Sequence, residues 1–258
     1  MHTTSGDIFT IVSSIAAALL LVCILQRTWA PEARRKHNDV VGPSVNVIGT
    51  TYAVLVAFML SGVWSNFRLA ESNAEQESNS LVNVFRIASG LAAEDRDRLH
   101  QLARQYAQDM LEREWPAMHD GRDNLGGHRA VSQLWEALNR VEPKTAAQQI
   151  ALDHAISELS RMTEFRRVRQ LQSRSQLPPL LWAVLIVGAM VTVGVSCLYG
   201  VDDLKLHIIQ VFSLTFLIVL VLVAIGNIDM PFRGSVTVKP VGFQYAIQTF
   251  DQEMDSHP

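Results

Sequence analysis

The chain has 258 residues and a formal net charge of −3. This balance argues against a nucleic-acid-binding protein, because such proteins normally carry a basic stripe or patch. Apolar and charged residues are segregated: four stretches of 18 to 20 residues contain no Lys, Arg, Asp or Glu, and about a hundred charge-rich residues separate them into two pairs.

The four apolar stretches are each long enough to cross a hydrocarbon core of roughly 30 Å as an α-helix. They are residues 8–26, 45–63, 180–199 and 208–225. The sequence therefore predicts an all-α polytopic membrane protein with four transmembrane helices. Cys23 and Cys197 lie inside these stretches, where thiols act as small hydrophobic groups.

The first stretch is predicted to be a retained membrane span. Residues 1–7 contain no Lys or Arg, and no A-x-A cleavage site follows the apolar run, so a secretory signal peptide is disfavoured.

The second stretch carries two stripes of residues at four-residue spacing. The first stripe is made of small side chains and is typical of a face that another helix approaches closely: Gly49, Ala53, Ala57 and Ser61. The second stripe, Asn46, Thr50, Val54 and Phe58, is polar at one end and apolar at the other, and its last three residues are the candidate pore lining. It could line a water path with a hydrophobic constriction, although a Phe in a membrane helix more commonly packs or faces lipid. The third stretch repeats the small-residue spacing, which favours helix packing, at Gly188, Thr192, Ser196 and Gly200.

The residues between the two pairs show helical periodicity and no strand pattern. The helical pattern of the second span continues without a break until Gly90. Further helices are predicted over residues 94–118, 128–141 and 144–174, with Pro116 expected to end the first of them. The predicted division of the chain is: 1–66, first helix pair; 67–177, cytoplasmic helical domain; 178–226, second helix pair; 227–258, C-terminal cytoplasmic tail.

The charges next to the spans predict the orientation. An even number of spans places both termini and the central domain on one side, where nine Lys and Arg residues lie near span ends against five in the short loops. The larger count favours a cytoplasmic location, although the first span by itself favours the reverse.

Motifs for catalysis or cofactor binding are absent from the sequence, so we predict neither an enzyme nor a bound cofactor. The nearest approach to a metal site is a loop with two His and two Asp, which is interpreted as surface: His119, Asp120, Asp123 and His128. A group of glutamates is expected to be solvated or to partner Arg residues: Glu71, Glu75, Glu77, Glu112 and Glu114.

Ionisable residues are missing from all four predicted spans, which disfavours an intramembrane enzyme or an ion-coupled transporter. The polar residues between the third and fourth spans are expected to face water in a short loop: Asp202, Asp203, Lys205 and His207.

Four arginines before the third span could give a cytoplasmic vestibule a positive field: Arg161, Arg166, Arg167 and Arg169. They could equally obey the positive-inside rule or pair with Glu158 and Glu164.

Two segments resemble bestrophins, and more closely a prokaryotic bestrophin-like membrane family. One is the run from Tyr52 to Phe58, continuing through Trp64, Glu77 and Arg86; the other follows the last span and reads Ile-Asp-Met-Pro-Phe-Arg-Gly at 228–234. The resemblance implies pentameric channels, mostly for anions such as chloride, in a bacterial inner membrane. It matches Phe58 to an aromatic constriction of the second span, with Val54 and Thr50 on the same face. It also implies a turn after the last span at Asp229, Pro231, Phe232 and Gly234.

Three departures from bestrophins accompany this resemblance. No Pro interrupts the second span near its start, Met59 rather than Arg follows Phe58, and no counterpart of the acidic calcium cluster is found. The late carboxylates are expected to lie too close to a frayed end to form such a cluster: Asp251, Glu253 and Asp255.

Two hypotheses of different classes remain. The first is a homo-oligomeric ion channel with the second span lining the pore, embedded in lipid and passing inorganic ions. The second is a non-conducting, membrane-anchored interaction or signalling module whose central helices recruit a partner.

Overall fold

The computed structural model describes residues 4–122 and 126–256, and this part of the chain contains helices and no strand. The α-helices, in chain order, are α1 (Thr4–Thr28), α2 (Pro31–Arg35), α3 (Asn38–Ala88), α4 (Ala93–Asp109), α5 (Trp115–His119), α6 (Gly126–Asn139), α7 (Ala146–Gln172), α8 (Pro179–Cys197), α9 (Leu204–Ile228) and α10 (Val241–Ser256). One π-helical turn, Met110–Glu114, joins α4 to α5. The predicted all-α class is confirmed.

Four of these helices, α1, α3, α8 and α9, are long and apolar enough to cross a membrane. All four extend at one end or both beyond the uncharged stretches, because helical backbone does not stop where the charges begin. The extension brings Asp7 into α1 and His207 into α9. The expectation that the spans lack ionisable residues therefore does not hold for the whole helices.

The chain forms two compact units, and the boundary between them falls inside α3. Met1–Ser65 and Gln176–Asp229 form the first unit; Asn66–Ser175 and Met230–Pro258 form the second. The first unit holds most of the apolar helices. The second holds α4 to α7, the C-terminal half of α3 and the last helix, α10.

The helix α3 runs for 51 residues and ends at Ala88, two residues before Gly90, as the unbroken periodicity predicts. Its start differs from the prediction: the helix begins at Asn38 and includes Pro43. Pro43 lies in the second turn, where it removes the hydrogen bond that its N–H would otherwise donate to the Asp39 carbonyl. The helix that contains the second span therefore has a proline near its start, at Pro43, although the apolar stretch 45–63 contains none.

The segment after α4 also differs from the prediction, because Pro116 does not end the helix. The backbone widens into the π-helical turn, in which the Trp115 N–H bonds to the Met110 carbonyl, and α5 then begins with Pro116 in its first turn. Proline clashes with the carbonyl four residues earlier in a regular α-helix, and one wider turn relieves that clash.

The C-terminal carboxylates lie in an ordered helix rather than at a frayed end. Asp251 pairs with Arg104 at 2.8 Å, and Glu253 pairs with Arg86 at 2.8 Å. The aromatic rings of Phe243 and Phe250 on the same helix are almost completely buried in the second unit. These contacts hold α10 against α3 and α4.

In the first unit, α3 and α8 meet at a tyrosine and a glycine. The Tyr52 hydroxyl donates to the Leu185 carbonyl at 3.0 Å. A Cβ atom built on Gly188 would lie 2.5 Å from the Tyr52 ring, so only glycine fits at this point of α8. The small-residue pattern of the third span thus has a packing role at Gly188.

We expect Gly188→Ala to lower the thermal unfolding midpoint of the detergent-solubilised protein, because Tyr52 would have to leave its position and its hydrogen bond. Overpacking of this kind costs about 1–3 kcal/mol. Gly194→Ala on the same helix is the matched control, since no other atom lies within 4 Å of the position that its added methyl group would take. The control should be neutral or slightly stabilising, as alanine is the better helix former. Equal midpoints for the two variants would contradict the packing described.

Candidate functional site

The predicted pore stripe of α3 lies on the outside of the protomer. Val54 is 52% exposed, Phe58 is 71% exposed, and Thr50 is also exposed. The opposite face of α3 packs within the first unit, where Tyr52 and Val63 are buried. The stripe is therefore free to contact something other than its own chain.

The small-residue stripe of α3 is also unpacked within the protomer. Ala53, Ala57 and Ser61 are exposed, and no atom lies within 4 Å of a Cβ built on Gly49. Any helix that uses this face for close packing must come from outside the described chain.

The exposed surface of α3 differs chemically from that of α8. Between residues 46 and 61, α3 exposes polar Asn46, Thr50, Thr51 and Ser61 among its apolar side chains. Between residues 180 and 191, the exposed side chains of α8 are all apolar: Leu180, Ala183, Val184, Ile186, Val187, Met190 and Val191. The outward face of α8 suits hydrocarbon, whereas that of α3 is mixed.

The second unit contains a buried cluster of charges that the sequence did not predict as a unit. Arg169 on α7 is completely buried and bonds Glu77 on α3 through Nε at 2.6 Å and Nη2 at 3.1 Å. Its Nη2 also bonds Glu114 at 2.8 Å. Glu114 accepts a second bond, from Arg166 Nη2, at 2.8 Å. Two cations and two carboxylates thus balance one another.

Tyr106 completes this cluster. Its hydroxyl donates to Glu77 and accepts from Arg166 Nη1 at 3.0 Å. The Trp115 ring lies beneath the Arg169 guanidinium, with 5.4 Å between the guanidinium carbon and the ring centroid. The π-helical turn places Glu114 where it can reach both arginines. The cluster joins α3, α4, α7 and the π turn.

The protonation states of the cluster follow from its environment. Burial raises the pKa of the Glu114 carboxyl, but Arg169 and Arg166 outweigh burial and hold that pKa below its usual range. Burial, followed by the Glu77 charge, raises the pKa of the Tyr106 hydroxyl well above its usual range, so Tyr106 stays protonated. Each carboxylate is paired with at least one arginine, so the cluster is an ion-paired network rather than a poised acid–base pair; Arg166 Nε is the one buried nitrogen of these arginines without a hydrogen-bond partner among the described residues.

The four arginines proposed for a vestibule separate into two kinds. Arg166 and Arg169 are buried and ion-paired, so they cannot present their charge to a water-filled vestibule; this part of the expectation is corrected. Arg161 and Arg167 are exposed on α7, and Arg161 pairs with Glu158 at 2.9 Å. The buried pair uses Glu77 and Glu114 as partners instead of Glu158 and Glu164.

The residues of the predicted post-span turn have separate contacts in the two units. Within the first unit, the Asp229 carboxylate accepts from the Leu177 N–H at 2.8 Å and from Trp182 Nε1 at 3.3 Å. Asp229 thereby holds the start of α8 to the end of α9.

Within the second unit, the remainder of this segment packs on the π turn and α5. The Phe232 ring meets the Trp115 ring edge-on at 5.5 Å, and the Pro231 carbonyl accepts from the Val238 N–H at 2.7 Å. Gly234 has φ of +95°, a left-handed conformation that favours glycine.

Of the four polar residues expected to face water between the third and fourth spans, Asp202, Asp203 and Lys205 are exposed and His207 is not. Asp203 caps α9 by accepting from the Lys205 N–H at 2.8 Å, and Asp202 pairs with Arg35. His207 is completely buried in the first turn of α9, which contradicts its assignment as a loop residue. Arg34 on α2 is buried as well.

The candidate metal loop shows only local pairing. Asp120 accepts from Arg122 at 2.7 Å and lies 3.6 Å from His119, all at the surface. Asp123 lies outside the described residues. Among those that are described, no group of three or more His, Cys, Asp or Glu side chains could hold a metal ion.

The family of the chain is shown by comparison with known proteins. A family model described as the Bestrophin-like domain matches residues 12–243. No curated protein matches the chain.

Several solved structures share the fold. The crystal structure of a bacterial Bestrophin homologue from Klebsiella pneumoniae is similar with a TM-score of 0.71 and 11% identity, over 97% of this chain and 99% of that chain. A point variant of that homologue gives a TM-score of 0.71 at 10% identity, over 95% of this chain and 97% of the variant. A crystal structure described only as a membrane protein gives 0.70 at 12% identity, over 95% and 97%.

We expect Arg169→Gln to destabilise the protein by about 3–5 kcal/mol, because it leaves two buried carboxylates with one cation. Arg161→Gln makes the same chemical change on the same helix but removes only an exposed ion pair, which is worth about 0–1 kcal/mol. Thermal unfolding of both purified variants in detergent measures the difference. Similar midpoints would show that the buried cluster does not stabilise the second unit.

The lowered pKa of Glu114 predicts that the free energy of unfolding decreases at acidic pH. Its folded-state pKa lies below the unfolded value, so its contribution is present above the unfolded pKa of about 4.3 and is lost as pH falls through the folded pKa. We expect the unfolding midpoint to fall on acidification, and Glu114→Gln to make this decrease shallower. Glu112→Gln, an exposed change in the same π turn, should retain the full decrease. An unchanged pH profile in Glu114→Gln would contradict the ion pairing.

Proposed function

Because the chain belongs to the Bestrophin-like domain family, we propose that it is a homo-oligomeric ion channel of a bacterial inner membrane, with a pore lined by α3. Its partners are the lipid bilayer, further copies of itself and inorganic ions. Anions such as chloride are the favoured permeant species, and the termini and the second unit lie on the cytoplasmic side.

The observation that carries this proposal is the chemistry of the exposed face of α3. Polar side chains facing hydrocarbon are costly, and in membrane proteins they usually face the bundle interior or a water-filled cavity. Asn46, Thr50 and Ser61 are exposed on a helix long enough to span, while the neighbouring α8 exposes only apolar side chains over residues 180–191. A monomer would leave these polar groups in lipid, whereas an oligomer with α3 inside would face them to water.

An oligomer is required because the four long helices of one protomer offer too little wall to enclose a water path. The resemblance to bestrophins implies five copies around one axis. The exposed stripe of Gly49, Ala53, Ala57 and Ser61 supports close approach of a neighbouring helix, since small side chains let backbones come together.

In this arrangement Val54 and Phe58 form the constriction. They are one helical turn apart on the exposed face, and apolar rings of this kind gate by excluding water. Thr50 lies one helical turn before Val54 on the same face, and its hydroxyl suits a water-filled part of the pore outside the constriction. Lys and Arg do not occur on this face between residues 46 and 61, so ion sign is not set by a charge within the stripe.

The preference for anions rests on the family resemblance and on exposed arginines of the second unit. Arg161 and Arg167 remain available at the surface of α7, and positively charged protein surfaces raise the local concentration of anions. The neighbouring Glu158 reduces the contribution of Arg161.

Electrical recording from the purified protein in planar bilayers tests this proposal. We expect a conductance whose reversal potential in a chloride gradient moves toward the chloride equilibrium potential. Phe58→Ala should raise the conductance or the open fraction by widening and wetting the constriction. Phe9→Ala is the matched control, because Phe9 on α1 is 73% exposed, close to the value for Phe58, yet lies on a different helix.

If neither the unaltered chain nor Phe58→Ala gives a measurable conductance in the bilayer, the proposal that the protein is a channel is contradicted. An equal effect of Phe9→Ala would contradict the assignment of the constriction to α3. A stable monomer by mass measurement in mild detergent would contradict the pore at Thr50, Val54 and Phe58.

A further inference from the structure

Arg34, on the short helix α2, is a buried cation without a counterion. It is 1% exposed, and its Nη1 donates to the Cys197 carbonyl at 3.0 Å. Its Nε and Nη2 atoms have no hydrogen-bond partner among the described residues, and no carboxylate there forms an ion pair with it. The adjacent Arg35, by contrast, is half-exposed and pairs with Asp202.

Two more buried polar groups without partners lie beside Arg34. Ser196 Oγ and His207 Nδ1 are both inaccessible and have no hydrogen-bond partner in the described chain. His207 Nε2 lies 3.4 Å from the Ser196 carbonyl, and Arg34 bonds the next carbonyl, that of Cys197. Two consecutive carbonyls at the end of α8 therefore hold the guanidinium and the imidazole in one place.

A buried guanidinium and a buried hydroxyl without hydrogen-bond partners are energetically unfavourable as they stand. Burial lowers the pKa of the Arg34 guanidinium, but arginine remains charged in proteins. A buried charge needs a partner, because removal from water costs several kcal/mol per ion. A neighbouring subunit cannot supply that partner, since the protomer itself already covers Arg34.

We propose that Arg34, Ser196 and His207 form a binding site for a small monovalent anion such as chloride. Arg34 Nε and Nη2 and the Ser196 hydroxyl are the donors, and the His207 ring lines the site. The near-complete burial of all three side chains favours a small ion over a large one. The site lies on α2, α8 and α9 and is separate from the pore stripe, so it does not depend on the proposed channel.

The bound anion would hold α2 against the ends of α8 and α9. The anion would balance the positive charge of Arg34, as glutamates balance the charges of Arg166 and Arg169 in the second unit. Its role is structural, and it makes the stability of the folded protein depend on the anion present.

Thermal unfolding of the full-length protein in detergent tests this site, with sodium chloride or bromide compared with sodium gluconate at equal ionic strength. The large gluconate ion does not fit. We expect a saturable rise of the midpoint, about 3 °C with the halide in tenfold excess over its dissociation constant. Arg34→Gln should remove the halide-dependent rise and be at least as stable as the unaltered chain in gluconate.

Arg35→Gln is the matched control and should keep the full halide response. Should Arg34→Gln fail to fold, Ser196→Ala serves instead and should raise the halide concentration needed for half of the stabilisation. Crystals grown in bromide should show an anomalous peak beside Arg34. An equal midpoint in halide and gluconate, an ordered water only at this position, or the same loss of response in Arg35→Gln would each overturn the proposal.

Discussion

Buried charge that must be balanced governs the second unit of this protein. In the second unit, Arg166 and Arg169 are removed from water and are matched by Glu77 and Glu114, with Tyr106 using its hydroxyl as both donor and acceptor. This network ties α3, α4 and α7 to the π turn. Because both carboxylates are paired with arginines, the network acts as a joint between these elements and offers no free acid or base for chemistry.

The same helix that supplies Glu77 to this joint also carries the exposed stripe. α3 is continuous from Asn38 to Ala88, so the residues of the stripe and the buried carboxylate belong to one rod. The boundary between the two units lies between the stripe and Glu77, at Ser65 and Asn66.

The sequence predicted the helices well because their signals are local. Charge-free stretches of membrane length and helical periodicity are enough to find α1, α3, α8 and α9, and the end of α3 at Ala88 follows from the glycine after it. The contacts of the arginines were not predictable in this way. Arg161 and Arg166 are five residues apart on α7. Arg161 is exposed and pairs with Glu158 on the same helix, whereas Arg166 is buried and pairs with Glu114 in the π turn. His207 was misassigned because a polar residue next to an apolar run resembles a loop residue in the sequence, and only the packing of the folded chain shows that it is covered.

The proposed channel requires that copies of this chain assemble with α3 on the inside and water, rather than lipid, against Thr50, Val54 and Phe58. Electron cryo-microscopy of the protein in lipid nanodiscs is the decisive measurement of that assembly. We predict a symmetric ring in which Phe58 of every copy points at the central axis. A monomer, or a ring in which Phe58 lies among lipid tails at the outer rim, would contradict the proposal.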